Sequence, residues 1–123
     1  MRLSEKQQIF SINIAKLILK AEELGIGLTF GEAYRTRSQQ QLYYHGYKVI
    51  NGELIKTNPK SKTLNSKHLS RLAVDFNFFI DGELTYKDPL LNKLGEYWES
   101  LNETNVWGGF WTSFPDAPHF QMS

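Results

Sequence analysis

The chain has 123 residues, 41% hydrophobic, 14% aromatic and 22% charged, with 14 Lys+Arg against 13 Asp+Glu and a formal charge of +1. A chain of this length buries somewhat under ~70% of its unfolded surface as one domain, and its apolar and aromatic content excludes a disordered polypeptide. The near-neutral charge argues against nucleic acid or an anionic membrane as partner, and the absence of cysteine excludes a disulfide framework, a thiolate zinc finger, an iron–sulfur cluster and a thiol nucleophile.

Ser4 followed by Gln7 matches a capping box, predicting a helix start at Ser4. Phe10, Ile14, Leu17, Ile18, Ala21 and Leu24 then recur at helical spacing, and Gly25 is a left-handed stop. This helix is expected to pack on a sheet. Residues 9–19 are broken by Ser11, Asn13 and Lys16, so they do not read as a membrane span. Glu5, Gln7 and Gln8 occupy the place where a secretory signal would begin its apolar run. The expectation is synthesis in the cytoplasm without a signal peptide and without membrane insertion.

Residues 26–33 read as a strand with Leu28 and Phe30 on one face. Gly25 and Gly27 form a GxG, but Phe30 stands where a dinucleotide fingerprint needs its third glycine. Thr36 and Gln39 cap a short helix closed by Gly46, and Asn51-Gly52 is a hairpin turn. Residues 57–67 are polar and lysine-rich and read as a solvated loop. Residues 72–80 alternate: Leu72, Val74, Phe76, Phe78 and Ile80 on one face, Ala73, Asp75 and Asn77 on the other. Asp88-Pro89 opens a second long helix with Leu90, Leu91, Leu94, Tyr97, Trp98 and Leu101 as its stripe. Residues 107–109 read as a loop, and a last strand forms around Phe120. The pattern predicts one α+β domain over residues 1–123, a small antiparallel sheet packed by two long helices and one short helix.

Without cysteine, metal ligands must come from His, Asp or Glu. His68 precedes Asp75 by seven positions, and Asp116 precedes His119 by three. Two histidines and a carboxylate are a common zinc set, and a further carboxylate beside them can take a proton from water. Spacing alone leaves a plainer alternative open, with His68 in a loop, Asp75 paired with Arg35 or Arg71, and His119 hydrogen-bonded in the core. His45, beside Tyr43, Tyr44 and Tyr47, reads as a helix-terminal surface residue.

Residues 66–75, Ser-Lys-His-Leu-Ser-Arg-Leu-Ala-Val-Asp, resemble the SxHxxGxAxD motif of the LAS-type zinc peptidases, family M15. Trp107-Gly108-Gly109 followed by Asp116-Ala117-Pro118-His119-Phe120 is similar to that family's closing segment. Tyr34-Arg35-Thr36 with Gln40 resembles the start of its active-site helix. The resemblance implies the LAS/Hedgehog-like metallopeptidase fold and Zn2+ bound by His68, Asp75 and His119. It further implies Asp116 as general base and Arg35 orienting substrate or stabilising the oxyanion. Gln40 is expected to orient Arg35, and Ser66 to meet substrate or a neighbouring backbone group. Arg71 stands at the motif's usual glycine and is expected to face solvent or a substrate carboxylate. Trp107 and Trp111 are expected to wall the site and support the terminal strand.

The implied activity is hydrolysis of an amide bond in peptidoglycan stem peptides by an endolysin-like L-alanyl-D-glutamate endopeptidase of bacteriophage type. The alternatives are a D,D-carboxypeptidase or dipeptidase, and a non-catalytic wall-binding module with a structural zinc. By the same resemblance the protein acts on the cell wall as a monomer after holin-type export or host lysis, with no nucleic-acid partner.

Overall fold

The computed structural model describes residues 1–123. It contains α1 (Leu3–Leu24), β1 (Gly27–Phe30), α2 (Arg37–His45), the hairpin β2 (Tyr47–Ile50) and β3 (Glu53–Lys56), β4 (Ala73–Ile80), β5 (Glu83–Leu84), α3 (Leu90–Leu101), β6 (Asn105–Trp107) and β7 (His119–Met122). Short 3-10 turns occupy Lys67–Ser70 and Gly108–Phe110. The central sheet is antiparallel with strand order β1-β4-β7-β6, and β5 pairs with β4. This is the predicted α+β architecture. No helix is long and apolar enough to cross a membrane.

The alternation of β4 divides the molecule. Leu72, Val74, Phe76 and Phe78 are buried in a cluster with Phe10, Leu17 and Ala21 of α1 and Leu91, Leu94 and Trp98 of α3. Phe10 meets the Trp98 ring edge-on at 5.6 Å, and Trp98 meets Phe120 at 5.9 Å. Both long helices therefore bury their stripes on one sheet face, and Asp75 and Asn77 are left on the other.

Several local readings differ from the structure. The helix α1 begins at Leu3 with Arg2 as its cap residue, so Ser4 makes no cap; Gln7 Nε2 instead donates to the Ser70 carbonyl at 2.8 Å. A long-range contact has displaced the local one. The strand β1 is shorter than predicted, and Phe30 at its end is 70% exposed although its ring leans on Phe76 at 5.3 Å. Trp107 closes strand β6, which the two glycines after it had disguised as loop. At α3, by contrast, the expectation holds: Asp88-Pro89 opens the helix, and the Leu90 N–H donates to Asp88 Oδ1 at 2.8 Å.

Thr36 Oγ1 accepts from the Gln39 N–H and Gly46 ends α2, as predicted, and the Asn51-Gly52 turn joins β2 to β3. Arg71 has φ +58°, which explains a glycine preference at this position without any close backbone approach. Its guanidinium stacks on Tyr34 at 4.1 Å and is exposed.

Candidate metal centre

Asp75 and His119 meet because β4 and β7 place them directly opposite each other in register. Strand alternation then turns both side chains to the helix-free face. His68 arrives from the 3-10 turn. Ser66 starts that turn by accepting the His68 N–H on its hydroxyl at 3.2 Å, and the same hydroxyl accepts from Arg35 Nη1 at 3.5 Å. His68 Nε2 and His119 Nδ1 each stand 3.3 Å from Asp75 Oδ1, and the three ligand atoms lie within 4.8 Å of one another. Asp75 makes no ion pair with Arg35 or Arg71.

This donor set suits a divalent metal. Tetrahedral bonds of ~2.0–2.1 Å separate neighbouring ligand atoms by ~3.3–3.4 Å, the spacing of both histidine–aspartate edges. The outer nitrogens are committed as well. His68 Nδ1–H donates to the Ala33 carbonyl at 2.9 Å, and His119 Nε2–H donates to Gln121 Oε1 at 2.7 Å. Each bond leaves the inward nitrogen of its ring with a lone pair for a metal. Gln121 lies two residues beyond His119 on the same strand face, which was the available signal for its role.

The charges of the metal-free group are strongly coupled. Burial raises the Asp75 carboxyl, but His119 and His68 against it outweigh burial and hold it well below the usual carboxylate range. Burial opposes charging of His119, yet its bonds to Asp75 and Gln121 raise it overall. Asp116 is pushed above its ordinary value, chiefly by burial.

The pH dependence of stability follows from these directions. The Asp75 contribution is present above its unfolded value of ~4 and is lost as pH falls through its folded value. The His119 contribution is complete below ~6.5 and is lost as pH rises through its folded value. Asp116, whose folded state resists ionisation, loses stability in that rising direction too. Chelator-treated protein should therefore have its highest Tm between pH ~4 and ~6.5. Zinc should raise Tm more as pH rises beyond that window, because His119 must first lose its proton. Thermal melts from pH 4 to 9, with zinc and with chelator, check both slopes.

Arg35 is nearly buried beside the group, its side chain 11% exposed. Glu32 Oε1 receives Nε at 2.7 Å and Nη2 at 2.5 Å, and Gln40 Oε1 receives Nη1 at 2.7 Å. Gln40 is fully buried and donates to Ser61 Oγ and the Thr63 carbonyl, which ties Arg35 to the 57–67 loop. Glu32 Oε2 accepts from the Tyr43 hydroxyl at 2.7 Å, and burial together with this carboxylate pushes Tyr43 up to about 12. No motif in the sequence marks Glu32 or Tyr43 as part of the site. Their one signal was position, Glu32 three residues before Arg35 and Tyr43 on the helix that follows.

Asp116 borders the cleft without joining the three ligands. Its placement depends on Gly108, whose carbonyl accepts the Asp116 N–H at 2.9 Å. A methyl group on Gly108 would strike the Asp116 carbonyl oxygen and press on the His119 Cβ at 3.1 Å. Gly108→Ala is expected to cost ~1–3 kcal/mol and to lower hydrolysis by more than it lowers metal content; chemical denaturation and metal analysis separate the two effects.

One of the weaker expectations needs correction in part. Trp107 does not wall the cleft: it is 2% exposed, stacks on Phe120 and fills the space beside Gly95 of α3. Its Nε1–H donates to the Ala117 carbonyl at 2.7 Å, so it steadies the segment between Asp116 and His119 from behind. For Arg71 the solvent-facing alternative is the one the structure shows: it is exposed, its guanidinium lies over Tyr34, and it does not line the cleft. Trp111 does line the cleft and lies 5.2 Å from the His119 ring. His45 is exposed at the end of α2, against Tyr44.

Asp75 and His119 on the open face of the sheet, with His68 from the adjoining turn and Arg35 and Asp116 alongside, form a group that could hold a divalent metal. A family model of the M15 peptidases, described as D-alanyl-D-alanine carboxypeptidase, matches residues 59–122, just over half of the chain. The chain belongs to this family and is a peptidase. Among solved structures it is similar to the L-Ala D-Glu endopeptidase ChiX of Serratia marcescens. The TM-score is 0.65 and the sequence identity 21%, over 100% of this chain and 87% of that one. At that identity the likeness establishes the LAS fold.

Proposed function

We propose that this peptidase is zinc-dependent and hydrolyses stem peptides of bacterial peptidoglycan, cutting the L-alanyl–D-glutamate bond. The observation that carries the reading is the His68–Asp75–His119 group with Arg35 and Asp116 beside it, bordered by two cavities that share Arg35 and Asp116. One cavity of about 300 Å³ is bordered by His68 and His119, and another of about 400 Å³ by Asp75. Room for substrate on either side of the group suits a bond within a chain. The family match supports a wall peptidase, and the whole-length likeness to an L-Ala D-Glu endopeptidase supports the choice of bond.

Zinc, when bound by the three side chains, supplies Lewis acidity that polarises an amide carbonyl and makes water a stronger acid. Asp116 accepts the proton of the attacking water as its oxygen bonds to the carbonyl carbon. It then hands that proton to the departing nitrogen as the C–N bond breaks. Burial, which raises Asp116, suits it to both halves of that transfer. Arg35, clamped by Glu32 and Gln40, keeps guanidinium N–H groups for the oxygen that gains charge. In this reading residues 1–123 are one catalytic domain acting as a monomer, and holin-type export or host lysis brings it to the wall.

Mass spectrometry of muropeptides after incubation with zinc-loaded protein, against a chelated control, tests the proposal. New amino-terminal D-glutamate is the expected product. Release of terminal D-alanine would replace it with the D,D-carboxypeptidase reading, which the description of the matched family favours. Unchanged muropeptides would overturn both.

A further inference from the structure

Three residues line both cavities: Arg35, Asp116 and Lys60. They form the ridge between the two, so a peptide lying through the cleft passes over all three. Arg35 and Asp116 have roles in the proposed chemistry, whereas Lys60 belongs to the loop that the sequence reads as solvated. That loop is fixed where it matters: the Lys60 N–H donates to the Tyr43 carbonyl at 2.9 Å, and Gln40 holds Ser61 and Thr63.

The charge balance on the ridge is uneven. The Arg35 charge is already met by Glu32. Lys62 and Lys67 border only the first cavity, and the Lys62 ammonium lies 4.4 Å from the Phe114 ring there. Lys60 has no carboxylate within salt-bridge distance, and its nearest described partner is the Tyr43 ring at 5.9 Å. It is an exposed ammonium on an anchored backbone at the edge of both cavities, within reach of an incoming anion.

We infer that Lys60 is a specificity-determining residue that binds a free α-carboxylate on the leaving amino acid. The inference rests on the stem-peptide reading above and deepens it. In a stem peptide D-glutamate continues through its γ-carboxyl, so the nitrogen released from L-alanine sits on a carbon that still carries a free α-carboxylate. That anion lies one carbon from the nitrogen Asp116 protonates, and Lys60 shares the ridge with Asp116. A charge-assisted hydrogen bond from an ammonium to a carboxylate is among the stronger polar contacts available to a half-open site.

The test uses the full zinc-loaded chain and two tripeptides, L-Ala-γ-D-Glu-L-Lys and the same peptide with its α-carboxylate converted to carboxamide. Wild type should prefer the free acid by ~10-fold or more in kcat/KM. Lys60→Gln should bring the ratio near unity, and Lys60→Arg should restore most of it. Calorimetric binding of the product γ-D-Glu-L-Lys gives a readout independent of turnover, and Lys60→Gln should weaken it by a similar factor. Cleavage of both peptides by wild type, with an acid-to-amide ratio and product affinity unchanged in Lys60→Gln, would overturn the assignment and leave the stem-peptide reading standing. No cleavage by wild type would sink that reading, and equal product affinity in the two proteins would then dispose of Lys60 as well.

Discussion

Asp116→Ala is expected to fold, to bind zinc at the wild-type stoichiometry, and to lose ~10²–10⁴ in the rate of stem-peptide hydrolysis. Asp116 is outside the three-residue ligand group and makes no side-chain hydrogen bond, so its removal leaves the metal set intact. Its carboxyl resists ionisation because it is half-buried, so folding should be unharmed. Asp116→Asn keeps the volume and removes only the proton acceptor. An equal loss in both variants assigns the effect to proton transfer, and near-wild-type hydrolysis by either removes Asp116 from the mechanism. The measurements are metal content, Tm and turnover on one preparation.

Asp75→Asn should abolish activity by a different route, with zinc content falling alongside. Asp75 supplies the only charge among the three ligands and is the one atom within 3.3 Å of both imidazoles. Losing a hydrogen-bonding support behind a ligand already costs ~10–100-fold in metal affinity, and losing the charged ligand should cost more. The metal-free variant should also lose the acid-side stability that the depressed Asp75 carboxyl confers, so its Tm should no longer fall steeply toward low pH. Retention of tightly bound zinc by Asp75→Asn would refute the ligand set. A titration with a chromophoric chelator measures the affinity directly.

The parts of this protein that could be read from its sequence are those in which local and global preferences agree. The stripe of α3, the period-two pattern of 72–80, the Thr36 cap and the Asn51-Gly52 hairpin all appear where periodicity and turn chemistry put them. The helix start at Ser4 failed because Gln7 found a partner 63 residues away, which no local pattern contains. Strand β6 was hidden because it is three residues long and runs into two glycines.

The candidate site divides along the same line. His68, Asp75, His119, Asp116 and Arg35 were legible through their motifs, and the structure brings them to one cleft. The supporting residues are not: Glu32, Tyr43 and Gln121 make contacts that exist only once α2 and β7 are assembled. Trp107 was misplaced for the reverse reason. A tryptophan beside paired glycines looks like a binding-loop residue, but Gly95 on α3 makes room for its ring in the core.

The pairing of Asp75 with His119 across β4 and β7 ties chemistry to folding accuracy. Were β7 to dock one residue out of step, Phe120 would be thrust into water and His119 driven among the aromatic rings beneath the sheet. Such a molecule would hold no ion. Under the zinc-dependent reading, metal uptake during refolding would act as an internal proofreader of strand alignment, and the fraction of chains capturing zinc would count those that closed the sheet correctly.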